Sequence, residues 1–326
     1  MRKYILFVLT TAVFLAAKAH PGIGIVIDSH GNIFYSDLKQ VWKLEPSGRR
    51  LVVVPRVHTH ELSIDKNDNI YGEHTWYNGE RLNTWGHYVW KRNPDGRVEK
   101  IKQDSPGFLD DYGFMPDKNG NVFWIQRFTE SKFMKKSPDG RITMIASGRF
   151  HDIRWSYCTP SGVIYFVDLH RLYRLQDGKF LLLAENLDDS RPGFGFSRKH
   201  NVYGIWTDKT ENIYVAIMSQ KKVKRINKDG NIDVVTYSTG GWSPTGGVFD
   251  KDGNLWLLEN SGTNNVRVRK ISASELAVKP NIIRSSFGNF LLLAAGLMAT
   301  CMVLVTGRKI IKWIKNVVNI RVRDTG

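Results

Sequence analysis

The fragment His58-Thr59-His60-Glu61 carries the densest chemistry in this chain. In an extended strand alternate residues share a face, so His58 and His60 point the same way, as two imidazoles on one metal must. Asp111 and Asp152 are carboxylates that could complete such a set around one divalent cation, calcium or magnesium. His60, Glu61, Arg154 and Glu259 are the residues suited to proton transfer or to clamping an anion, the roles expected of catalytic groups. Tyr112, Tyr203, Trp76, Trp85 and Trp242 could stack on a sugar ring or another apolar ligand. These residues are far apart in sequence, so their convergence depends on the elements that carry them.

Those elements repeat. DSHGNIFYSD at Asp28 returns as DKNDNIYGEH at Asp65, DKNGNVFWIQ at Asp117, TPSGVIYFVD at Thr159, DKTENIYVAI at Asp208 and DKDGNLWLLE at Asp250. The leading residues are 37, 52, 42, 49 and 42 apart, a period that marks a repeat architecture. In each copy Gly supplies a positive φ, or Asn and Asp bond their own backbone, and a β-branched or aromatic strand follows. A second turn recurs in five copies, as in SPDGRITMI around Gly140, and reads as the hairpin to a fourth strand. Four short antiparallel strands written six times predict a six-bladed β-propeller over residues 20–280. The leading Asp and the Asn of each turn are expected to shape the turn and not to bind ligands. The sixth copy lacks the second turn, and its outer strand is expected from Glu275 to Val278.

In a propeller the first strand of each blade lines the channel. Five residues before each leading position stand Ile23, His60, Tyr112, Arg154, Tyr203 and Thr245, which gathers polar groups at one end of that channel. A ligand site is therefore expected at the mouth where these strands begin. The insert His74–Tyr88 and the long link Leu187–His200 place aromatics in what read as loops around that mouth.

The blade phrase, D-x-x-G-N-[IVL]-[YFW] followed by D-G, resembles that of NHL-repeat propellers and of the wider superfamily of gluconolactonases, strictosidine synthase-like proteins and streptogramin lyases. The resemblance covers roughly Pro21 to Ile271. It implies the propeller fold and, for the gluconolactonases, a divalent cation held by a Glu, two Asn and an Asp. The phrase PTGGVFDKDGNLW has Thr245 where one Asn ligand would stand, and Tyr112 falls near the place of another. Streptogramin lyases are similar in using a His that begins an inner strand and a Glu that ends the next, which His60 and Glu259 match in separate blades. Two activities follow as alternatives: recognition of a ligand or partner, or a metal-dependent lactonase or lyase.

Both ends have their own composition. Residues 1–19 have two early bases, an apolar run and Ala17-Lys18-Ala19, the form of a bacterial-type secretory signal peptide. After a linker at 281–286, residues 287–306 are uncharged, long enough for one membrane-spanning helix, and the tail 307–326 is basic. The positive-inside rule puts that tail in the cytoplasm and the propeller outside it. The two ends hold half of the net charge of +16. Nucleic acid is a poor partner for an exported body; the membrane, a small molecule, a glycan or a protein fit better. The two cysteines, Cys158 and Cys301, lie in a repeat and in the apolar segment and cannot staple the body. Sequences for a Ser-His-Asp triad, a cysteine zinc site, a phosphate-binding loop or a dinucleotide fingerprint are absent.

Overall fold

The computed structural model describes residues 21–82, 84–106, 114–127, 129–189, 201–263 and 265–278. The chain divides into two units, Met1–Pro280 and Asn281–Gly326, and every described residue belongs to the first. The expected signal peptide, linker, membrane helix and tail lie outside the described residues, as do Asp111 and Tyr112. Among the described residues no helix is long and apolar enough to cross a membrane.

Six antiparallel sheets follow one another along the chain, five of four strands and one of three, with their strands in sequence order. The first blade runs Ile25–Ile27, Ile33–Ser36, Gln40–Leu44 and Arg50–Pro55. The innermost strands of the others are Leu62–Ile64, Met115–Pro116, Ile153–Cys158, Val202–Thr207 and Trp242–Phe249. Each touches the next, and the sixth returns against the first. This is the six-bladed propeller.

The repeated turn is built from its leading carboxylate. Asp65 accepts from the backbone N–H of Asn67 at 2.9 Å and of Asn69 at 3.0 Å, and from the Asn69 amide and the Tyr71 hydroxyl at 2.9 Å each. Asp208 repeats the pattern with Asn212 and Tyr214, and Asp250 with Asn254 and the Trp256 indole. The second strand thus enters its sheet tied to the turn that precedes it. Burial and the bonded carboxylate both push the Tyr71 and Tyr214 hydroxyls up from the ordinary tyrosine range.

Apolar side chains fill the space between blades. Phe133 and Ile125 of blade three pack with Phe166 and Ile164 of blade four, and all four are buried. Burying a side chain of that size contributes about 1.5–3 kcal/mol. Ile25, Ile33 and Tyr35 of blade one pack with Leu258 of blade six, and Trp256 and Val268 join them. The ring closes through this contact, with no strand shared between first and last blades among the described residues.

Two expectations are corrected. Glu275–Val278 does not form an outer strand: Ala273–Ala277 is a helix, and blade six has three strands among the described residues. Ser272 accepts from the Glu275 N–H while the Glu275 carboxylate accepts from Ser272, a capping box that fixes a helix start. The aromatic insert is also not a loop. It extends the hairpin of blade two into the strands Ile70–Tyr77 and Trp85–Arg92, joined by the one-turn helix Gly79–Leu82. Trp242 likewise begins the innermost strand of blade six.

Candidate functional site

One level of the innermost strands sets the geometry of the channel. Four residues before the leading positions stand Gly24, Glu61, Trp155, Gly204 and Gly246 in blades one, two, four, five and six. A Cβ on Gly24 would meet the Leu62 nitrogen at 2.8 Å, one on Gly204 would strike the Thr245 carbonyl, and one on Gly246 the Ile23 carbonyl. Each glycine therefore faces the next blade and lets it approach closely. Trp155 obeys the same direction, its ring centroid 5.5 Å from that of Tyr203 in blade five. Glu61 is the one carboxyl at this level among the described residues, near enough to Arg127 of blade three to feel its charge.

Burial raises the Glu61 pKa above the usual carboxylate range, and the Arg127 guanidinium pulls part of the way back. Arg127 follows the second strand of blade three; its Nε is buried without a hydrogen-bond partner among the described residues. Glu61 also lines a cavity of about 300 Å³ on the channel axis, with Ile25, Ile64, Met115, Tyr157 and Val248 among its walls. A second hollow of about 660 Å³ on the turn face shares Tyr157, Pro160 and Thr207 with it. The described cavity thus runs from Glu61 toward the repeated turns, away from the mouth where sequence reasoning put the site.

At that mouth the structure brings some expected residues together. His58 Nε2 lies 3.0 Å from His60 Nε2, and His58 Nδ1 lies 2.9 Å from the Leu38 carbonyl oxygen. The His58 N–H donates to His74 Nδ1 at 2.8 Å. Burial, and then the neighbouring His58, lower the His74 pKa. Arg154 Nε donates to Asp152 at 2.9 Å. Tyr203 is buried, its hydroxyl pKa raised by burial and opposed by the Arg154 charge.

Other residues are committed elsewhere. Glu259 is fully buried in the second strand of blade six, not among the residues lining the cavity. Its carboxylate accepts from Arg267 Nε at 2.6 Å, from Arg269 at 3.1 Å and from the Ser238 hydroxyl at 2.5 Å. Although burial works against ionisation, these three donors hold its pKa below the usual range. Trp242 lies under the Arg267 guanidinium, 4.4 Å from the ring centroid. Trp76 lies against Gly86, whose added Cβ would strike the indole. Trp85 is partly exposed near the end of the blade-two hairpin.

A calcium or magnesium ion of the gluconolactonase kind does not fit these residues. Asp152 and Glu259 are paired with guanidinium groups, and Glu61 is half-buried where desolvation disfavours ionisation. Thr245, at the place of an Asn ligand, is buried and accepts from the Asn260 amide at 2.8 Å. Among the described residues no group of three or more His, Cys, Asp or Glu is arranged to hold a metal.

No family model and no curated protein matches the sequence. Solved structures do match. A gluconolactonase from Xanthomonas campestris is similar at 13% identity, over 76% of this chain and 86% of its own, with a TM-score of 0.52. An auxiliary nutrient binding protein from Bacteroides thetaiotaomicron is similar at 10% identity, over 77% of this chain and 69% of its own, at 0.55. A virginiamycin B lyase from Staphylococcus aureus matches at 13% identity, over 78% and 86%, at 0.46. The chain shares the propeller fold of the first two. At such identities the likeness extends to the fold and no further.

Sequence reasoning missed Arg127 and the glycine level. The glycines were readable by counting back one residue fewer from each leading position. Arg127 had no such signal, because it follows a second strand and meets Glu61 across a blade boundary.

Proposed function

We propose that this chain is a recognition module, its propeller outside the cytoplasm and tethered by the segment 287–306, that takes a small molecule into its central channel. The observation that carries the reading is the cavity of about 300 Å³ with Glu61 as the one carboxyl among the described residues that line it. That volume is at the small end of ligand pockets, and walls rich in Ile, Val and Met suit an apolar body. Glu61, whose pKa burial raises, donates a hydrogen bond to a carbonyl or carboxylate when it is protonated. Arg127 is not in the cavity wall, but its guanidinium keeps a positive charge near Glu61, which favours an electron-rich acceptor at that end. The ligand class is thus a compact apolar molecule with one carbonyl or carboxylate end.

Melting temperature of the full-length protein in detergent, measured against a panel of small carboxylic acids, esters and lactones, tests this. A ligand that raises the melting temperature of the wild type, and does so much less in Arg127→Met and Glu61→Gln, supports the reading. Shifts that survive both substitutions place the ligand outside the channel and end it. The lactonase alternative has the same cavity, but the described residues offer it no fitting set of hard-cation ligands, so recognition is preferred.

A further inference from the structure

The His58–His60 pair is not used by the channel cavity, and its geometry has a consequence of its own. Both residues are half-buried and lie on one face of the segment leading into the innermost strand of blade two. A carbonyl oxygen only accepts, so the contact from His58 Nδ1 to Leu38 O puts the His58 proton on Nδ1. That leaves the lone pair of His58 Nε2 facing His60 Nε2 at 3.0 Å. An Nδ1–H held by a backbone carbonyl is also the arrangement that orients metal-binding imidazoles. The His58 N–H bond to His74 fixes the backbone beneath the ring.

We propose that His58 Nε2 and His60 Nε2 form a two-imidazole chelate for a square-planar or tetragonal transition-metal ion, copper(II) or nickel(II). At metal–nitrogen bonds of ~2.05 Å, nitrogens at the observed separation subtend an angle of about 94° at the ion. That is the bite of two adjacent corners of a square. A tetrahedral zinc ion would need the nitrogens roughly 0.3 Å further apart. Nitrogen ligands in tetragonal geometry select copper(II) or nickel(II). The proton on His60 Nε2 moves to Nδ1 as the metal takes its place, so the neutral pair releases none. Solvent completes the coordination. This site stands between blades one and two, outside the lining of the channel cavity. It does not depend on the channel ligand.

Copper(II) added to the full-length protein in detergent, followed by electron paramagnetic resonance, tests the proposal. One equivalent should give a tetragonal spectrum split by two imidazole nitrogens. His58→Gln and His60→Gln should each weaken binding at least tenfold, while His30→Gln, His151→Gln and His20→Ala leave it unchanged. Melting curves without copper establish that the variants fold, and the nitrogen splitting in the wild type is a readout independent of them. Excess calcium should neither compete nor alter the melting temperature. A spectrum without two coupled nitrogens, or binding that survives loss of His58 and His60 or follows His20, overturns the proposal.

Discussion

Gly246 of blade six faces the carbonyl oxygen of Ile23 in blade one with no room for a methyl group between them. This backbone approach, with the apolar contact beside it, joins the last blade to the first. A ring closed without a shared strand is sensitive to anything that holds these two strands apart.

Gly246→Ala is therefore expected to lower stability by about 2 kcal/mol or more, because the carbonyl belongs to backbone and cannot rotate away. Urea denaturation followed by tryptophan fluorescence reads this as a lower midpoint. Gly241→Ala, where an added Cβ meets nothing within 4 Å, should leave the midpoint nearly unchanged. Equal effects from the two substitutions would show that the approach does not control closure.

Glu61 gives a pH signature. Its folded-state pKa is raised, so the folded protein binds more protons than the unfolded chain between the two pKa values. The stability of the neutral form is fully present below the unfolded value and is lost as pH rises through the folded one. Glu61→Gln should gain stability relative to the wild type as pH is raised through that window. A stability difference that is flat with pH would mean that Glu61 ionises freely in the folded protein.

Glu259 has the opposite sign. Its lowered pKa contributes stability present above the unfolded value and lost as pH falls through the folded one. Glu259→Gln should cost about 2–4 kcal/mol, since a buried acceptor shared by Arg267, Arg269 and Ser238 loses its charge. Thermal unfolding compared with Arg267→Gln and the double variant measures the coupling. A double variant equal to the sum of the singles would break this picture of one unit.

Asp65 tests the turn. Asp65→Ala removes the acceptor of two backbone N–H groups, the Asn69 amide and the Tyr71 hydroxyl, for a loss of about 2 kcal/mol. The Tyr71 hydroxyl should then titrate at lower pH, which ultraviolet difference spectra detect. An unchanged tyrosine titration would show that the bond to Asp65 is not what raises it.

The fold was legible because it is written locally and repeatedly. Asp, Asn and Gly act within five residues of one another, so the turn from Asp65 to Asn69 is readable from its own letters. The two-residue alternation of a strand puts His58 and His60 on one face; they meet side by side, but in the segment before the strand, which begins at Leu62. Local signals also misled where a different local rule won. Ser272 and Glu275 cap a helix where a strand was expected, and the aromatic insert continued two strands instead of leaving them.

The sequence by itself determined six blades, their turns and the side-by-side histidines, since each depends on near neighbours along the chain. Only the tertiary structure decided which blade each inner residue meets. Closure brought the charge of Arg127 near Glu61, gave Glu259 to two arginines and set Gly246 against Ile23. The physical reason is that alternation fixes the side a residue takes, while the distance to the neighbouring blade follows from packing the whole ring.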